Sequence, residues 1–74
     1  MNETILMDTY RVDPNGATVH CKASVMVNGH DVHLDVIAFG YGREGTEKAF
    51  EAMEEVLPAF LGVKYQEVEL VRVY

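Results

Sequence analysis

The chain has 74 residues, 49% of them hydrophobic, and 12 acidic against 6 basic side chains give a formal net charge of −6 with the histidines neutral. That length suits a single domain, 1–74, with a thin core, and the apolar share argues against a disordered chain. Lys and Arg are scattered from Arg11 to Arg72 rather than clustered, so neither direct nucleic-acid binding nor an anionic membrane surface is expected.

The first strand is expected over about Thr4 to Val12, with two registers open. A four-residue loop pairs Val12 with Ala17 and turns Leu6, Tyr10 and Val12 to the core. A bulged turn shifts this by one, placing Ile5 and Met7 on the core face and Asp8 beside Lys22. The turn itself is Asp13-Pro14-Asn15-Gly16, with Pro and Gly where a type I turn followed by a glycine bulge wants them.

The next segment alternates strictly. Ala17, Val19, Cys21, Ala23, Val25 and Val27 share one face, and Thr18, His20, Lys22, Ser24 and Met26 share the other. Asn28-Gly29 is a strong hairpin signal because both residues tolerate positive φ. A third strand repeats the alternation, Val32, Leu34, Val36 and Ala38 against Asp31, His33, Asp35, Ile37 and Phe39. With a two-residue loop the apolar faces coincide rung by rung: Val25 opposite Val32, Ala23 opposite Leu34, Cys21 opposite Val36, Val19 opposite Ala38. Lys22 then meets Asp35, and a slip of one residue would set apolar against polar throughout.

Gly40-Tyr41-Gly42-Arg43-Glu44-Gly45 turns the chain into a helix expected from about Thr46 to Leu57. Thr46 is the expected cap, and Pro58 ends or kinks the helix. Ala49, Phe50, Met53, Val56, Leu57 and Phe60 form the apolar stripe, and Glu47, Glu51, Glu54 and Glu55 are expected to point outward. Val63 to Tyr74 reads as one strand or two short ones. The fold class is α+β: an antiparallel sheet in β-β-β-α-β order with one helix packed on one face.

The sheet face away from the helix carries His20, Met26, Ile37 and Phe39, with Tyr10 in one of the two registers. Unless the C-terminal segment covers it, such a face marks a protein contact, self-association being the commonest form. His20, His30 and His33 are not placed to share an ion, so no metal and no cofactor are expected. Cys21 is the single cysteine, which precludes an internal disulfide; it points to the core, and Ser24 sits mid-strand, so no catalytic set stands out and no enzyme is expected. Gly40, Gly42 and Arg43 at the helix start form a candidate anion-binding loop. The N-terminal residues lack the basic and apolar regions of a signal peptide, which sets a cytoplasmic expectation.

Two resemblances follow from these residues. A strand, an Asn-Gly turn, a strand ending Ala38-Phe39-Gly40-Tyr41-Gly42, the helix Glu47-Lys48-Ala49-Phe50-Glu51-Ala52-Met53 and Leu61-Gly62-Val63-Lys64-Tyr65 together resemble the C-terminal regulatory (LeuA dimer) domain of α-isopropylmalate and citramalate synthases. There, paired β-β-β-α units bind an amino-acid inhibitor, which implies a self-associating, ligand-sensing module. The same segment is similar to the C-terminal half of a double-stranded-RNA-binding domain. Thr46-Glu47-Lys48 offers one lysine beside an acid, so RNA binding does not carry over. The expectation is a small acidic, non-enzymatic interaction module that binds itself or a protein partner. One alternative is a phage or mobile-element inhibitor of the anti-CRISPR type, setting its acidic helix on a basic protein surface. Another is a small-molecule-sensing regulatory domain.

Overall fold

A computed structural model describes residues 3–13, 16–63 and 67–74. Strands β1 (Glu3–Tyr10), β2 (Thr18–Val27) and β3 (His30–Phe39) precede helix α1 (Gly42–Leu61), and β4 (Val68–Val73) closes the chain. The four strands form one sheet in the order β3-β2-β1-β4.

The β2–β3 hairpin has the expected register, from Val27 opposite His30 to Thr18 opposite Phe39, with Lys22 opposite Asp35. Asn28 and Gly29 take φ of 50° and 80°, the pair of positive values that a type I′ turn needs and whose twist matches the flanking strands. β1 takes the second of its two registers: Met7 pairs with Ala23 and Asp8 with Lys22. Ile5 and Met7 are therefore buried under the helix, while Leu6 and Tyr10 face away from it. The Gly16 N–H donates to the Asp13 carbonyl at 2.9 Å, and the centre of that turn, Pro14-Asn15, lies outside the described residues.

β4 is one strand, and it runs parallel to β1, with Ile5 opposite Leu70 and Met7 opposite Arg72. The sheet is thus mostly antiparallel with one parallel pair. The cause is the crossover: α1 carries the chain back from β3 at one edge to β4 at the other, so β4 points the way β3 and β1 do. The Lys64-Tyr65 part of the segment before β4 lies outside the described residues.

The helix is longer than expected at both ends. It starts at Gly42, with Tyr41 extended at the N-cap and making no side-chain cap. Thr46, the expected cap, sits a turn inside and reaches the Gly42 carbonyl at 3.5 Å. This early start depends on close backbone contact: a Cβ on Gly45 would fall 2.1 Å from the Gly40 oxygen. Pro58 lies within the last turn rather than beyond it. It forgoes only its own bond to the Glu54 carbonyl, and the chain continues to Leu61. Gly62 then closes the helix at φ 70°, with its N–H on the Ala59 carbonyl and the Val63 N–H on the Pro58 carbonyl.

The core lies between α1 and one sheet face. Phe50, Met53, Leu57 and Ala49 pack on Ile5, Met7, Val19, Cys21, Ala23 and Val25. Burial of a large side chain such as Phe50 contributes roughly 1.5–3 kcal/mol over leaving it in water. From the expected stripe, Val56 and Phe60 remain exposed. No helix among the described residues is long and apolar enough to cross a membrane.

Candidate functional site

Because successive strand residues alternate faces, every residue between the buried ones of β1 and β2, or between the half-buried ones of β3, projects to the uncovered side. β4 joins the sheet at its edge and does not fold over this face. Leu6 (60%), Met26 (55%), Ile37 (52%) and Phe39 (68%) are consequently left open to solvent. Leu6 and Val73, opposite Val71 and Asp8 respectively, extend the apolar surface across β1 and β4. The phase of β1 decides their side, and the sequence left that phase open.

At the centre of the face lies a polar cluster. Tyr10, His20 and Ile37 form one rung, and Asp8, Lys22 and Asp35 the next. The Tyr10 hydroxyl donates to Asp35 Oδ2 at 2.5 Å, and His20 Nδ1 lies 3.1 Å from Asp35 Oδ1. The Tyr10 and His20 rings stack with centroids 4.8 Å apart, and the Lys22 ammonium sits 5.5 Å from the Tyr10 ring. The hydrogen bond from Tyr10 holds the Asp35 carboxyl below the usual carboxylate range, with His20 and Lys22 helping against partial desolvation. The same bond pushes the Tyr10 phenol up, because ionising it would place a phenolate against a carboxylate. One rung further out, Ser24 Oγ and His33 Nδ1 are 2.8 Å apart. Tyr10, His20, Met26, Ile37 and Phe39 thus share one surface, with Tyr10 and His20 as its fixed part.

The acidic helix face is not the outward ridge expected. Glu47 and Glu54 turn to Arg72 on β4, whose guanidinium donates to Glu54 through Nε at 3.0 Å and Nη2 at 2.9 Å, and to Glu47 through Nη1 at 2.6 Å. Arg72 can do this because, opposite Met7, it lies on the helix side of the sheet. Its proton is held more tightly than usual, chiefly by Glu54. Glu51 and Glu55 remain exposed, and Glu44 pairs with Lys48 at 3.2 Å.

The glycine loop is occupied by contacts within the chain. The Gly40 N–H donates to the Ala17 carbonyl at 2.7 Å. Arg11 donates to the carbonyls of Gly16 (2.9 Å), Gly40 (3.2 Å) and Gly42 (2.8 Å), tying the β1–β2 loop to the start of α1. This role of Arg11 carries no local motif. Arg43 instead borders a cleft of about 440 Å³ with Thr46, Glu47 and Tyr74. Cys21 is buried, and desolvation, reinforced by Asp35 and Asp8, pushes its thiol up to about 11. Among the described residues no three His, Cys, Asp or Glu side chains are grouped to hold a metal ion.

No protein family, curated protein or solved structure matches the chain.

Proposed function

We propose that the protein is a small non-enzymatic interaction module that self-associates through its sheet. The observation that supports this reading is the one-sided cover of the sheet, which leaves Leu6, Met26, Ile37 and Phe39 exposed beside a free β3 edge. A thin core gains from burying surface of this sheet, at its open face or along its free edge, against another copy, and closed two-fold pairing is the commonest way to do so. The polar cluster of Tyr10, His20, Lys22 and Asp35 would give that surface a defined shape and charge pattern rather than a greasy, indiscriminate one. Sedimentation velocity at micromolar concentration tests this. A species of twice the 8.3 kDa chain mass is expected, and a clean monomer up to high micromolar concentration refutes self-association.

A further inference from the structure

We propose that two copies join along β3, antiparallel about a two-fold axis, with Leu34 of each chain opposite Leu34 of the other. This rests on the self-association reading above and adds the element, the register and the contacts. β3 is a ten-residue edge strand whose pairing with β2 runs without a break. It carries no proline, no lysine and no bulge, three of the devices that protect an edge, and its charged residues are Asp31 and Asp35.

The hairpin sets which backbone groups are free. A two-residue turn makes Val27 and His30 a hydrogen-bonded pair, so His30, Val32, Leu34, Val36 and Ala38 bond inward to β2. Asp31, His33, Asp35, Ile37 and Phe39 therefore direct their amides and carbonyls outward along the edge.

Side-chain charge then selects among the symmetric registers. An axis through Asp35 sets two Asp35 carboxylates directly opposite each other, which is unfavourable. An axis through Val36 sets Asp35 opposite Ile37 and His33 opposite Phe39, with no complementary pair. An axis through Leu34 sets His33 of each copy opposite Asp35 of the other, and two-fold symmetry makes that pair twice. Ser24 occupies Nδ1 of His33, so Nε2 remains for the facing Asp35, each of whose oxygens keeps a second lone pair beyond its bond to Tyr10 or His20. In the same register Val32 faces Val36 and Leu34 faces itself. All three are only half-buried against the core now, and a second β3 would complete their cover.

The helix supplies an independent match. Glu47 and Glu54 reach β4, so the flank of α1 opposite them looks toward the β3 edge. At about 100° per residue that flank holds Ala52, Val56 and Ala59, small and apolar side chains bordered by Lys48 and Glu55. α1 packs most closely on β3 and β2. With strands ~4.8 Å apart, two helices so placed lie roughly 10 Å from one another across the axis, a separation that small residues suit.

The test combines cross-linking with charge variants in the full chain. Leu34 would form a non-hydrogen-bonded pair with itself, with Cα atoms about 4.5 Å apart, within disulfide range. Leu34→Cys in a Cys21→Ala background is expected to oxidise to a covalent dimer, and Met26→Cys in the same background is not. His33→Glu, which sets one acid opposite each Asp35, should weaken self-association about tenfold, while His33→Lys should preserve it. Ile37→Lys should also preserve it, because residue 37 then faces Asp31. A dimer that cross-links at Met26 but not at Leu34, or that Ile37→Lys dissociates as readily as His33→Glu, overturns the edge geometry and leaves self-association standing. A monomeric wild-type chain overturns both.

Discussion

Tyr10 on β1 and Asp35 on β3, 25 residues apart in the chain, are joined by a 2.5 Å hydrogen bond that passes over β2. The bond spans three strands, so it reports on the whole face rather than on one hairpin. His20, stacked on Tyr10 and 3.1 Å from the same carboxylate, fills the space between them.

This bond predicts the shape of the stability profile at both pH extremes. Asp35 has a lowered pKa in the fold, so its contribution is present above the ordinary carboxylate pKa and is lost as pH falls through the lower folded value. Tyr10 has a raised pKa, so its contribution is present below the ordinary phenol pKa and is lost as pH rises through the higher folded value. In Tyr10→Phe, carboxyl NMR titration should show Asp35 moving upward, toward the usual carboxylate range. An unchanged Asp35 titration contradicts the bond.

Arg72 is expected to anchor β4 to the helix. Glu54 binds it through two parallel bonds, the strong fork geometry, and Glu47 adds a third. The Arg72 side chain keeps 25% of its exposure and Glu47 38%, so water screens part of the gain. Arg72→Met should cost about 1–2 kcal/mol in urea unfolding. Amide exchange should quicken in β4 before it does so in β2.

Gly45→Ala should be far more damaging than an ordinary helix substitution, where alanine helps. The added Cβ would lie 2.1 Å from the Gly40 oxygen and 2.8 Å from Val19 Cγ2, and the first of these is backbone that Arg11 also holds. A loss of more than about 3 kcal/mol is expected from thermal or urea unfolding. A stabilised Gly45→Ala protein would refute the close Gly40–Gly45 approach.

The Cys21 thiol should be nearly inert in the folded protein. It is fully buried, and its pKa is pushed up to about 11, so little thiolate exists at pH 8. Labelling by a thiol reagent should follow unfolding, rising in urea along the same curve as circular dichroism. Fast labelling of the native chain at pH 8 would show that the β2 core face opens without global unfolding.

The β2–β3 hairpin was legible residue by residue because every signal in it is local. Period-two alternation sets which side chains share a face, and Asn28-Gly29 sets the turn, so the register follows. The helix was legible as an element, but its start was not. The helix begins at Gly42 because Gly45 fits against Gly40, a contact to a preceding loop that propensity does not register.

What the sequence determined by itself was the α+β class, the hairpin register and the part of the helix stripe that is buried, Ala49, Phe50, Met53 and Leu57, all properties of neighbours along the chain. Tertiary structure alone decided three things: the phase of β1, the parallel placement of β4 and the turning of Glu47 and Glu54 to Arg72. Each depends on partners distant in the chain. Two phases of β1 are almost equally apolar, and only the fit of Ile5 and Met7 beneath α1 separates them. An outward acid and an ion-paired one look identical until the crossover brings Arg72 alongside.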